Sequence, residues 1–211
     1  MKHTLAFVIL IILSGFHVNA QQQKYPKGAY LSFEEIVKKT PSQQLDLTIE
    51  KRTKGDIKMV GGNDYKLTSE DKSIEKKMLK TELWGYSSGD TLYINGFQYK
   101  VQPWYACVVG DGKYLIIRAG LSQNQDLYKK QMKMAVMFGA VGGAFAGAKM
   151  ALMRFVYIID KSSNTLKMIN SEALKELLAD QKDILAQYEQ EPNKEDDQIL
   201  IKYLELINTE N

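Results

Sequence analysis

Beyond His17 the 211-residue chain contains no histidine, and its only cysteine is Cys107. The first absence removes a Ser-His-Asp or Cys-His catalytic site, a histidine general base and the usual histidine-containing zinc sites. The second removes an internal disulfide. Cys107 lies between Ala106 and Val108 in an apolar run, where a thiol reads as a small buried hydrophobe and not as a nucleophile. Phosphate-cradling loops are missing too. Gly142 to Lys149 approaches G-x-x-x-x-G-K-[ST], but Ala148 separates Gly147 from Lys149, and Met150 stands where the magnesium-binding hydroxyl belongs. Neither apolar run of the chain reaches the ~20 residues that span a bilayer. With no catalytic signature left, the chain is expected not to be an enzyme, and no cofactor or metal ligand set is assigned.

Met1 to Ala20 has the build of a secretory signal peptide. Lys2 supplies the positive start, Leu5 to Leu13 the apolar run and Val18-Asn19-Ala20 the cleavage site. An exported protein follows, periplasmic or associated with the cell envelope, with Gln21 as its first mature residue. No cysteine lies near the cleavage site, so a lipoprotein is not expected. Export also argues against nucleic acid as a partner. Removing 20 residues from 211 leaves 191, enough for one substantial domain. Charge is divided along it: Gln21 to Asn170 holds 23 Lys plus Arg against 14 Asp plus Glu, a net of +9, whereas Ser171 to Asn211 holds 4 against 11, a net of −7. The acidic tail is placed to fold back on the basic body or to repel the anions that body attracts.

Hydropathy periods point to an α+β fold: an antiparallel β meander or small curled sheet with an embedded Gly/Ala-rich helix and C-terminal helices. Ser32-Phe33-Glu34-Glu35 is a capping box opening a helix to Lys39, closed ahead of Pro41. Strands are expected at Leu45 to Glu50 and, as a hairpin around Gly61-Gly62-Asn63-Asp64, at Ile57 to Val60 and Tyr65 to Leu67. A second hairpin, Leu83 to Tyr86 and Thr91 to Ile94, turns at Ser87-Ser88-Gly89-Asp90. Another strand is expected to begin near Met78. Phe97 to Val101, Trp104 to Val109, Lys113 to Ala119, Phe155 to Asp160 and Thr165 to Ile169 complete the set. Asp90 and Asp111 fall in Gly-containing turns, which explains them. Ser171 is placed to cap the first C-terminal helix, and Ile199, Leu200, Tyr203, Leu204 and Ile207 form the stripe of the last. Residues 21–170 thus form a mainly β domain with the apolar helix near 127–153, and 171–211 an acidic helical segment headed by Glu195-Asp196-Asp197 as a helix N-terminus.

Two constellations bear on function. Met134 to Ala148, MAVMFGAVGGAFAGA, is uncharged for fifteen residues; Lys129, Lys130 and Lys133 precede it, and Lys149 and Arg154 follow. Gly139, Gly143 and Gly147 recur at every fourth position, a smooth stripe of the glycine-zipper kind. At 1.5 Å per residue the segment is ~22 Å long against a hydrocarbon core of ~30 Å. Three readings stand: contact with a membrane, close packing against the protein's own sheet or a second copy, or a helical hairpin broken at Gly142-Gly143. The second constellation is aromatic. Trp84, Tyr86 and Trp104 belong to a run of rings able to line a ligand face for a glycan, though rings are also ordinary strand and core residues.

Several segments together, KGAYLSFEEIVKKTPS (Lys27 to Ser42), ELWGYSSGDTLYIN (Glu82 to Asn95), the glycine-rich insert and YIIDKSSNTLKMINSEALKELL (Tyr157 to Leu178), resemble a family of uncharacterised exported proteins typical of Bacteroidetes. The resemblance covers most of the mature chain and implies location and gross build, with no activity or site residues attached. The resulting expectation is an envelope protein acting by association with a membrane or partner, a homo-oligomer included, through the glycine segment. The alternative is an extracytoplasmic binding module using the aromatic face.

Overall fold

The computed structural model describes residues 25–137 and 144–208. In chain order the elements are β1 (Gly28–Tyr30), α1 (Phe33–Lys38), β2 (Thr48–Lys51), α2 (Lys54–Val60), β3 (Tyr65–Thr68), β4 (Gly85–Ser87), β5 (Leu92–Asn95), β6 (Tyr105–Asp111), β7 (Tyr114–Ala119), α3 (Gln125–Met137), α4 (Ala144–Ala151), β8 (Phe155–Asp160), β9 (Thr165–Ile169), α5 (Ser171–Leu177), α6 (Lys182–Glu189) and α7 (Asp197–Ile207). The strands make one open antiparallel sheet in the order β1-β4-β5-β6-β7-β8-β9, with β3 joined to the start of β6 and β2 to β3. The fold is α+β, as the periods implied.

Its centre is the β7-β8-β9 meander, paired in register from Tyr114↔Asp160 to Ala119↔Phe155 and from Val156↔Ile169 to Asp160↔Thr165. β8 reads Phe-Val-Tyr-Ile-Ile with no polar alternation because both of its faces are covered. On one face Ile116, Val156, Ile158 and Ile169 meet Leu174, Leu178, Tyr188, Leu200, Tyr203 and Leu204 of the C-terminal helices. On the other, Leu115, Ile117, Phe155, Tyr157 and Ile159 share a cluster with Tyr30, Phe33, Ile36, Leu92 and Ile94. Strands from opposite ends of the sheet therefore meet in one core, so the sheet is curled. It bends at β6, where the register shifts between Val108 and Gly110. A Cβ on Gly110 would stand 2.6 Å from Ile116 Cδ1, so a side chain would block the bend.

The acidic tail does fold back on the basic body. Arg118 donates to Asp197 Oδ2 at 2.9 and 2.6 Å, and Lys167 pairs with Glu176 at 3.0 Å. Asn208 extends the attachment like a strand residue, accepting from Tyr114 N (2.7 Å) and donating to Tyr114 O (2.9 Å).

Several expected elements are replaced. Ile57 to Val60 is helical: Thr53 Oγ1 accepts from Asp56 N while Asp56 accepts from Thr53 N, a capping box that starts α2. Phe97 to Tyr99 is a short 3₁₀ turn, because Asn95 Oδ1 accepts from Phe97 N and its amide donates to Lys80 O and Leu83 O. A helical turn spans Met78–Glu82 in place of a strand start. Asn170, not Ser171, caps α5, accepting from Ala173 N at 2.9 Å. Asp111 ends β6, not a turn, with only 3 % of its side chain exposed. The apolar segment near 127–153 is described as two helices. In α3, Ala135 is buried, and Leu127 and Met134 pack on the curled core. α4 packs beside α2. No described helix is long and apolar enough to cross a membrane.

Candidate functional site

The three rings singled out from sequence do not share a surface. Tyr86 is buried, its hydroxyl donating to Leu45 O and Leu47 O in the segment ahead of β2. Trp84 packs between Phe33 and Tyr99, with ring centroids 6.1 and 5.8 Å away. Trp104 borders a recess, with Leu67, Ile74 and Leu79 and a rim that includes Lys66, Lys72, Lys76 and Lys80.

Trp104 is held there by a network that sequence reasoning missed. Its φ of +76° is a left-handed value that a bulky residue adopts only under constraint. The constraint comes from Asn63, which is fully buried. Its amide nitrogen donates to Gln102 O (2.6 Å) and Trp104 O (3.3 Å), its Oδ1 accepts from Gly120 N (2.8 Å), and its backbone N donates to Pro103 O (2.8 Å). Gly62 lies against the indole: a Cβ there would stand 2.7 Å from Trp104 Cδ1 and 2.5 Å from Arg52 Nη1. The Arg52 guanidinium lies 5.8 Å from the ring centroid and the Lys80 ammonium 5.0 Å. Burial pulls the Arg52 pKa below its ordinary value, opposed by the carboxylates of Asp56 and Asp64. The available signal was the pair Gly61-Gly62 ahead of Asn63-Asp64, read as a hairpin turn; its partners Gln102 and Trp104 are some forty residues away.

The same network secures α2 and α4. Arg52 Nη1 donates to Gly61 O and Asn63 O, at 2.7 and 3.0 Å. Arg154 donates to Asp64 Oδ1 (3.0 and 2.6 Å), Gly62 O (3.2 Å), Ala151 O (3.1 Å) and Met153 O (2.8 Å). The trailing ends of both helices are thereby tied to one arginine, whose side chain is 8 % exposed. With Ile57 turned inward, the last turn of α2 presents Met59 at 84 % and Val60 at 72 % exposure, the two most exposed large apolar side chains described. In α4, Gly147 is exposed, and nothing lies within 4 Å of the point where its Cβ would be. Exposed Lys54, Lys58 and Lys149 belong to the same two helices. Gly139 and Gly143, the other stripe positions, lie outside the described residues.

Two further titratable clusters emerge. Asp111 is met by Tyr25 Oη (2.9 Å), Lys161 Nζ (2.7 Å) and Lys39 Nζ (3.7 Å), a junction of the N-terminal lead, the end of α1, the end of β6 and the β8–β9 turn. Glu195 accepts from Ser171 N (3.1 Å) through Oε1, while its buried Oε2 has no hydrogen-bond partner among the described residues. Burial holds its carboxyl above the usual range. Burial also pushes the phenols of Tyr105 and Tyr157 up, which keeps them neutral donors: Tyr105 to Leu79 O, Tyr157 to Gly120 O. Among the described residues no three His, Cys, Asp or Glu side chains gather to hold a metal ion.

A family model described as "Family of unknown function (DUF6563)" matches residues 28–211. Its description names neither a compartment nor an activity. No curated protein and no solved structure matches the chain significantly.

Proposed function

The chain belongs to the family of unknown function DUF6563, and on that premise we propose that it is an exported, non-enzymatic envelope protein that works by association, settling on an anionic membrane face through the end of α2 and through α4. The observation that carries this reading is the outward display of Met59 and Val60 beside a helix whose Gly147 faces open space. Apolar side chains gain ~1.5–3 kcal/mol each when fully buried, and a lysine near an anionic leaflet contributes ~1 kcal/mol. Two or three of each suffice for a reversible peripheral contact.

Fractionation of producing cells tests this. The protein is expected in the membrane pellet and should leave it in a high-salt or alkaline wash without detergent. Recovery wholly in the soluble fraction overturns the reading, and recovery as a defined oligomer without lipid assigns the surface to a second copy. A second reading, an extracytoplasmic binding module, is favoured by the recess beside Trp104.

A further inference from the structure

Building on that second reading, we infer that the recess beside Trp104 binds a single-chain anionic amphiphile, a long-chain carboxylate, with the chain on the apolar floor and the head group at Lys72 and Lys76. The recess encloses about 660 Å³, within the range of small-molecule sites and far more than a free phosphate or acetate fills. Its floor is apolar: Leu67 and Leu79 are almost wholly buried core residues, with Ile74 and the indole beside them. Charge at the rim is unbalanced, four lysines against Asp71 and Glu75. Of these, Lys66 is engaged by Glu50 at 2.6 Å and Lys80 lies over the indole. Asp71 accepts from Ser73 N at 2.8 Å and so holds its own turn. Lys72 and Lys76 are exposed and make no ion pair among the described residues. They are the cations left for a ligand.

The indole itself argues against a glycan. Stacking on a pyranose needs a free ring face, and here Arg52 and Lys80 both stand against the ring. The strained Trp104 backbone and the Gly62 contact fix the indole in place before any ligand arrives.

Quenching of tryptophan emission by dibromostearate, added as monomer, reads the site directly because bromine quenches an indole on contact. Saturable quenching is expected in the purified protein. It should persist in Trp84→Phe, which leaves Trp104 as the only emitter, and vanish in Trp104→Phe. Lys72→Glu with Lys76→Glu, both at exposed positions, should weaken binding about tenfold or more at an unchanged melting temperature. The brominated long-chain alcohol should bind comparably more weakly than the acid. Absence of saturable quenching, quenching that survives in Trp104→Phe, or indifference to the two lysines overturns the inference. So does equal competition by inorganic phosphate, which would show that charge alone is recognised. Binding to anionic vesicles without binding of the free acid removes this site and leaves the membrane reading standing; the converse result does the reverse.

Discussion

α7 and the α2-α4 pair are both rich in apolar side chains, yet they spend them in opposite directions. α7 carries its apolar residues as a stripe with Lys202 and Glu205 behind it, and the stripe is consumed: Leu200, Tyr203 and Leu204 lie within 2 % exposure against Val156, Ile158 and Ile169. α4 has no comparable polar back, only Lys149 in eight residues, and α2 beside it leaves Met59 and Val60 in solvent. A stripe backed by charge announces that a helix docks and along which line. A helix without a polar back announces only that it needs an apolar neighbour, and does not say whether that neighbour is protein or lipid.

The comparison breaks most visibly at the docked helix. Leu204→Ala should cost about 2–5 kcal/mol in urea denaturation, the range for emptying a buried leucine site; a loss below about 1 kcal/mol would mean that α7 is a loose appendage. Next comes the arginine that ties α2 and α4 to the sheet. Arg154→Met leaves Asp64 and three backbone carbonyls without their donor, and a stability loss of about 2–3 kcal/mol is expected, less than for a fully buried pair because Asp64 is 35 % exposed. Smaller still is Glu195, beneath the C-terminal layer. Its folded pKa is raised, so the fold binds its proton more tightly than the unfolded chain does. The resulting stability is complete below the ordinary carboxylate range and is lost as pH rises through the raised value. Glu195→Gln should therefore melt above the parent at neutral pH, with the difference closing as the solution is acidified. The smallest effect on stability, within about 0.5 kcal/mol, is expected for Met59→Asp with Val60→Asp, because neither side chain is packed.

How much of this was legible follows the same division. Phe155–Asp160 and Thr165–Ile169 were read residue for residue, because apolar runs flanked by Ser162-Ser163-Asn164 state both a strand and its turn. α1 was legible through the spacing of a capping box: Ser32 Oγ accepts from Glu35 N, although Glu35 reaches back to Leu31 N and not to the Ser32 N of a true box. α2 was misread because its box uses Asp56 where the sequence rule looks for Glu or Gln, and because Ile57 to Val60 taken alone has no helical period. The Trp104 site was invisible for another reason. Its parts, Arg52, Gly62, Asn63, Lys80, Gln102 and Arg154, are neighbours only through the pairing of β3 with β6 and the packing of α4 beside α2. No local pattern in the chain encodes that juxtaposition. The opposed charges of body and tail were legible in sum but not in detail, since Arg118 pairs with Asp197 across a long stretch of chain.

The central claim is that the apolar surplus at α2 and α4 is a contact surface, whereas that of α7 is structural. Sedimentation of the purified protein with vesicles, anionic or zwitterionic, at low and high salt, tests it most directly when parent and the Met59→Asp, Val60→Asp variant are run together. The expected result is binding of the parent to anionic vesicles, weakened by salt, and a loss of at least about tenfold in the variant at an unchanged melting temperature. A parent that stays in the supernatant with every vesicle, or a variant that sediments as well as the parent, would contradict the claim.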